Sequence, residues 1–574
     1  MNDIHSTAVS GGFQWGFDDR KIAQTERLLS TDKDNCGMTH TKSMQGAMMA
    51  TTRREFVVTA AALAATGGTA PQGGGRKIIK AVGDIPGYDP VANSADPVQQ
   101  HGSMIYDTLF GIDAQQNPQP QMVGKYGLSI DKLTWTFELR DGLRFHDGTE
   151  VTSADVVPSI RRWASRDGLG QSMMNYVKDI AAKDSKTFTI LLKEPYGLVP
   201  FSLAKTAGLL CYVMRKKEAE TDPNQKIDTV IGSGPFKFNQ GETKPGTQYV
   251  YDKNTHYVPR KEPADGFSGG KVVKVDRVIY INIPDQQTAL AALQTGEIDY
   301  YGDPPADTLN ELAQDKNLKL QVINPLGSIG AIRLNCMQPP FNNEKCRQAI
   351  LYIVNQIDYL KANFPDPKFY RTCASYFACG GPMENDANTS WFETAPDYSK
   401  AKQLLKEGGY DGRPVVVLQP TNWSLGKNSA EILAAEMRQA GINVQMEPLE
   451  FGAVMTRRAS KAPPNEGGWN IFITTGNVGL VGIPLHLFHQ ANGEKAWFGW
   501  PSDSKLEDLR LKWAVADTLE ERKELARQIQ EDGWKYVPHV WFGQWTSPSL
   551  MRANIKGMLT LPGIIVPWWN VEKT

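Results

Sequence analysis

Two histidines, His486 and His489, stand three apart in the stretch Pro484-Leu485-His486-Leu487-Phe488-His489. That spacing lets two side chains share one helix face and one metal ion. A zinc site uses four ligands as a rule. No cluster of Cys or His lies nearby in sequence, so the pair reads as two histidines of an aromatic loop, and no metal or other cofactor is assigned. The G-x-x-x-x-G-K-[ST] phosphate loop and the H-E-x-x-H zinc motif are absent from the chain. No G-x-S-x-G nucleophile elbow is read in the chain: Gly232-Ser233-Gly234 sets its glycines directly against the serine, which is not that spacing. It reads as a tight connection into a strand at Phe236-Lys237-Phe238. No catalytic residue is assigned, and binding without turnover is the expectation.

Binding has better candidates. Trp497, Phe498 and Trp500 cluster around Gly499. Rigid aromatic walls suit a closing cleft, because they desolvate a ligand at small entropic cost. Trp497 and Trp500 are therefore candidate ligand contacts, with core packing as the alternative. Tyr88 and Tyr106 are further aromatic candidates. The strand exit Ile473-Thr474-Thr475-Gly476-Asn477 is the best polar candidate, since ligands of open α/β folds bind beyond the C-terminal ends of strands. Thr474, Thr475 and Asn477 offer hydrogen bonds there; ordinary turn chemistry is the alternative.

The elements that must position these residues are legible in part. In Leu133 to Val157, Trp135, Phe137 and Leu139 alternate with polar residues, the period of a half-buried strand. Turn dipeptides at Asp141-Gly142 and Asp147-Gly148 enclose Leu143-Arg144-Phe145, which predicts a hairpin. Thr152 and Asp155 predict a capping box opening a helix. Asp285 and Gly296 bound a helix with Ala289, Leu290 and Leu293 on one face. Ser399 to Glu407 reads as a short helix ended by Gly408. Val415 to Leu418, a helix near Ala430 to Ala440, and Ile442 to Met446 form a βαβ unit with parallel strands. Trp469 to Ile473 is a further buried strand, and Leu506 to Gln530 a long helix. Asp265 to Gly270 and Ala462 to Gly468 read as surface loops.

Thr136-Phe137-Glu138-Leu139-Arg140-Asp141-Gly142, continuing through His146-Asp147-Gly148 to Val156, resembles the signature of the family 5 extracellular solute-binding proteins. Further landmarks follow in family order: Tyr88-Asp89-Pro90, Gly232 to Phe236, Gly296-Glu297-Ile298-Asp299, Leu334-Asn335, Pro340-Phe341, Arg347-Gln348-Ala349 and Gly408-Gly409-Tyr410. The resemblance runs from about residue 76 to the C-terminus. It implies an α/β, two-lobed periplasmic binding protein fold of the large, type II-like kind. The first lobe would be 76–115, 225–327 and 538–574, interrupted by a subdomain at 116–224; the second would be 328–537. Hinge crossings would lie near Ser328 and Pro538. It also implies a monomeric receptor that captures a small solute (peptide-like, opine-like or a chelate) and delivers it to the permease and ATPase subunits of an ABC importer. A secreted hydrolase or a sensor for a signalling receptor are the alternatives. Peptide-binding relatives carry an Asp just after the strand that matches Ile471 to Asn477, where it pairs with the ligand's amino group. Here the loop reads TTGNVGLVGIPLH, without an acid. An unpaired buried ammonium is costly, so an ordinary free-amino peptide is in question.

Composition agrees with a soluble globular chain: 574 residues, net charge -1, no basic stripe for nucleic acid and no apolar run of the ~20 residues a membrane helix requires. Thr52-Arg53-Arg54-Glu55, the short apolar run Phe56 to Ala65 and small residues through Ala70 read as a twin-arginine export signal over 48–70. Residues 1–47 read as a non-native or unstructured extension, with Met48 or Met49 as the natural start, and the mature protein is expected in the periplasm. In that oxidising compartment Cys373 and Cys379 are expected to form a disulfide, two unlinked thiols being the alternative.

Overall fold

A computed structural model describes residues 77–574 apart from 224, 228, 229 and 517; the extension and the export signal lie outside the described residues. Two sheets carry the lobes. The first holds seven strands in the order Leu318–Val322, Pro548–Arg552, Tyr300–Tyr301, Ile78–Val82, Arg277–Ile281, Gln248–Lys253 and Phe236–Phe238. The second holds six: Tyr370–Arg371, His539–Trp545, Ser328–Leu334, Ile471–Asn477, Val415–Pro420 and Val444–Leu449. The chain enters the second sheet at Ser328. It leaves after Trp545, because His539–Trp545 pairs antiparallel with Ser328–Leu334. The second crossing is therefore at Thr546 and Ser547, not at Pro538.

The inserted subdomain is a four-stranded sheet, Val123–Leu128, Thr134–Leu139, Thr187–Leu192 and Val177–Ala182, with the helix Ser153–Arg166 beside it. Its apolar cluster already begins at Leu109. Trp135, Phe137 and Leu139 are buried as their alternation predicts. Their partners are Val123–Leu128 and Thr187–Leu192. The predicted hairpin onto Leu143 to Phe145 does not form, because Val123–Leu128 and Thr187–Leu192 occupy both edges of Thr134–Leu139; Arg144 instead bridges Glu150. Asp155 closes the capping box at 2.9 Å from Thr152 N. The βαβ unit is parallel, Val415 opposite Val444, with its helix at Ser424–Gln439. The long helix is two, Ser504–Val515 and Leu519–Tyr536: Ala516 is extended and Thr518 caps a new start by accepting from Glu521 N.

Family landmarks prove to be joints. Asp89 meets Arg162 of the subdomain at 2.8 Å with both side chains almost fully buried. Against the cost of burial, Arg162 holds the Asp89 carboxyl below the usual carboxylate range. His146 accepts a bond from Gly232 N at 3.2 Å and lies 3.2 Å from Gly234 O, tying the signature to the Gly232 turn. A Cβ on Gly232 would stand 1.8 Å from Ile105 O, so only glycine fits there.

Candidate functional site

The hinge strand His539–Trp545 has two faces, because successive side chains of a strand point oppositely. Gln544 donates to Leu326 O and to Cys379 O, each at 2.9 Å. Trp545 points the other way and stacks on Phe364 with ring centroids 5.0 Å apart. We term the Gln544 side the front.

In front of the hinge three bodies enclose a small pocket. The second lobe supplies Gly479, Leu480 and Ile483, the subdomain Gln116, Phe201, Lys205 and Thr206, and the first lobe Pro562. Thr206 Oγ1 donates to Pro562 O at 2.6 Å, and a Cβ on Gly479 would lie 3.6 Å from the same oxygen. One continuous apolar cluster runs from the subdomain into the second lobe. The lobes are in contact here, and the pocket left between them is only about 30 Å³.

Its electrostatics are sparse. Lys205 is the one charged side chain on its wall and is ion-paired to Asp167, with both side chains at least nine-tenths buried. Residues 476–486 of the second lobe contain no acid. His486 stands close by; burial, then the charges of Lys205, Arg510 and Arg333, lower its pKa to about 3. Its Nδ1 accepts from Phe488 N at 3.3 Å. His489 turns away to the carbonyl of Val481 at 2.8 Å. Among the described residues no group of three or more His, Cys, Asp or Glu could hold a metal ion.

The structure distributes the predicted site residues unevenly. Thr474 and Thr475 are half-buried on Ile471–Asn477 and, being neighbours, face opposite sides of the sheet. Asn477 accepts from Gly479 N at 3.0 Å and so caps the short helix that delivers Gly479 and Leu480 to the pocket. The turn reading of Asn477 thus describes its bond, and the pocket wall begins just after it.

The tryptophans belong elsewhere. Cys336 N donates to Gly499 O at 2.8 Å, which fixes the loop at the end of Ser328–Leu334 remote from the hinge. Trp500 is buried against Trp469, and Trp497 packs on Phe472. Phe472 is five residues from Asn477 along one strand, about 16 Å at the strand rise. The loop instead seals buried Arg333, which donates to Phe498 O at 2.7 Å. Tyr106 is 1 % exposed and packed on Tyr212, inside the first-lobe core rather than at its edge. Tyr88 is half-buried between His101 and Phe238.

Cys373 and Cys379 are disulfide-bonded. Gly266-Phe267-Ser268-Gly269-Gly270, within a stretch read above as a surface loop, carries the G-x-S-x-G spacing. Ser268 is buried and donates to Asp265 O at 2.8 Å in a local turn, so it is no exposed nucleophile. Sequence reading missed Lys205, Thr206 and Pro562, which belong to no motif; Leu480 lay inside the loop it singled out.

The comparisons with known proteins decide what such a pocket belongs to. The sequence model of the bacterial extracellular solute-binding proteins, family 5 (middle region), matches residues 117–483. The chain belongs to this family. It is 46 % identical over 489 residues to a "probable peptide ABC transporter periplasmic-binding protein" of Sinorhizobium fredii, covering 85 % of this chain and 91 % of that one. It is 26 % identical over 539 residues to a glutathione-binding protein of Pectobacterium atrosepticum, covering 91 % and 99 %. Among solved structures, the PBP AgaA of A. tumefaciens R10 in complex with agropinic acid aligns with a TM-score of 0.69 at 21 % identity, over 87 % of this chain and 99 % of that one. As a family 5 protein the chain is the solute-binding component of an ABC importer. It works outside the cytoplasmic membrane and serves permease and ATPase subunits. The hydrolase and sensor readings find no support in these relatives.

Proposed function

We propose that the front of the junction, once hinge rotation parts the lobes there, takes a small peptide-like or opine-like solute by a carboxylate, and not by an ammonium group held on the second lobe. One observation carries the reading: Lys205 is the charged group at the pocket wall, while 476–486 offers no acid. A carboxylate reaching Lys205 gains a charge-assisted hydrogen bond in competition with Asp167, whereas an ammonium there meets only that carboxylate, which Lys205 already neutralises. The relatives named for a peptide and for glutathione agree, since both kinds of molecule carry carboxylates. The protein acts as a monomer and releases its solute unchanged, closure being driven by contacts made only in the closed state.

Calorimetry on residues 71–574 with glutathione, acidic di- and tripeptides, opines, plain amines and nickel–histidine chelates tests this. Carboxylate solutes should bind tightest, and Lys205→Met should weaken them at least about tenfold. Tightest binding by an amine without a carboxylate, or indifference to Lys205→Met, overturns the reading. Recovery of a chemically altered solute by mass spectrometry would overturn the binding-only role. For export we assign the twin-arginine route to 48–70; replacing Arg53 and Arg54 together by Lys should hold the protein in the cytoplasm, and undiminished export refutes the route.

A further inference from the structure

Behind the hinge the lobes frame a second, larger cavity of about 550 Å³. Its floor is the returning chain Thr546 to Pro548. Asp303 and Leu309 stand on its first-lobe wall, and Phe364, Trp423 and Asn428 on its second-lobe wall. No residue lines both this groove and the junction pocket. The first-lobe sheet separates them as well. Tyr301 and Leu550 share an apolar cluster with Leu309 on the rear face, whereas their neighbours Tyr300 and Met551 join Leu561 and Trp568 on the front.

The lining has the chemistry of a cation site. Asp303 has no hydrogen-bond or ion-pair partner among the described residues, although it reaches solvent at the groove mouth. The neighbouring walls desolvate its carboxyl and raise its pKa. Asp303 is exposed at the groove mouth, so its desolvation is partial, and an unpartnered carboxylate beside these walls gains from a counter-charge. Phe364 and Trp423 are half-buried and offer aromatic surface to the same space. None of the lining residues is Lys or Arg, and the other acid, Asp366, is already tied to Lys368 at 2.6 Å. Lys368 itself lies over the Phe369 ring, 4.7 Å from its centroid, so one edge of the groove already holds a cation against an aromatic face. An aromatic surface with a free carboxyl in a concave interdomain space is the composition that recognises organic ammonium ions.

We propose that this rear groove is a second ligand site, for a small organic ammonium ion, and that its occupancy favours the closed lobes. The walls come from both lobes, so their spacing is set by the interlobe angle. A hinge rotation that parts the front brings the rear walls together. A ligand that fits only the closed spacing shifts the equilibrium toward closure by its differential affinity, and so tightens solute binding in front.

The test uses the mature chain with choline, putrescine and tetramethylammonium as probes, by calorimetry and by an interlobe distance from paired spin labels. At least one probe should bind, at least about tenfold more weakly to Asp303→Asn, and should shorten the interlobe distance. Asn428→Trp, which fills the groove, should abolish probe binding if Asp303→Asn proves uninformative. Lys205→Met should leave it unchanged. The proposal is overturned if no probe binds, if Asp303→Asn and Asn428→Trp both bind like the parent, or if Lys205→Met weakens the probe, which would place the cation in front. Because the solute reading rests on Lys205 and this one on Asp303, either can fail alone.

Discussion

The front and the rear of the hinge are framed by the same two lobes, yet closure treats them differently. In front, Leu480, Ile483, Phe201 and Pro562 come together around a satisfied ion pair, and little space remains. At the rear, amides, aromatic rings and an unpartnered carboxyl stand apart around a wide groove. The front also depends on a third body: the subdomain supplies Lys205 and Thr206 there, and no subdomain residue lines the rear. Closing a hinged cleft therefore fills one face with apolar contact and leaves polar surface opposite it.

Breaking the joint between the subdomain and the first lobe should have the largest effect. Arg162→Met leaves buried Asp89 without its partner and should cost about 3–5 kcal/mol in urea unfolding. In material that stays folded, solute affinity should fall while the rear groove is spared. An equal loss at both faces would end the contrast.

Leu480→Trp comes next. The ring should occupy the junction pocket and weaken solute binding at least about a hundredfold, near 2.7 kcal/mol. Undiminished binding by calorimetry would move the solute out of the front.

Acid should act on the front as well. Burial lowers the pKa of His101 and His486 to about 3 and that of His146 to about 4, against about 6.5 in the unfolded chain. These folded-state values lie below the unfolded one, so the stabilisation is complete above pH 6.5 and is lost as pH falls from there toward 4 and 3. At pH 5 each such histidine withdraws up to about 2 kcal/mol. Urea midpoints should therefore fall between pH 7.5 and 5. Hydrogen exchange should rise around 477–490 before it rises at 303–309, since no histidine lines the rear groove. A midpoint independent of pH would contradict the burial of these rings.

The smallest effect is expected from Asn428→Trp. A wedge in the rear should hold the lobes closed and tighten solute binding a few-fold, within about 1 kcal/mol. Weaker binding would mean that the rear narrows, rather than widens, on closure.

Much of the scaffold was legible in the chain. The Thr152–Asp155 capping box, the Asp285 and Gly296 helix bounds and the parallel pair at Val415 and Val444 all follow from residues within a turn or two of one another. The placements that were not legible share a cause. Leu143 to Phe145 has a strand-like pattern, but Thr134–Leu139 already has partners on both sides. Trp497 and Trp500 have the composition of a cleft wall, but the loop answers to Arg333 and to the far end of a strand. Tyr106 has the residue type of a ligand contact, but its ring packs on Tyr212 behind the Gly232 turn.

The sequence by itself determined the family, the caps and turns, the alternation of the buried strands, and the absence of an acid from the loop after Asn477, because each is a property of residue types at short spacing. Only the tertiary structure decided where the lobes cross, that the Trp497 and Trp500 loop packs at the Leu334 end of its strand, and that Lys205, Leu480 and Pro562 share one pocket while Asp303 faces another. Those outcomes depend on strand register and on the packing of three bodies. Neither leaves a local mark, since residues that meet across a closed hinge are brought together by burial and not by their order in the chain.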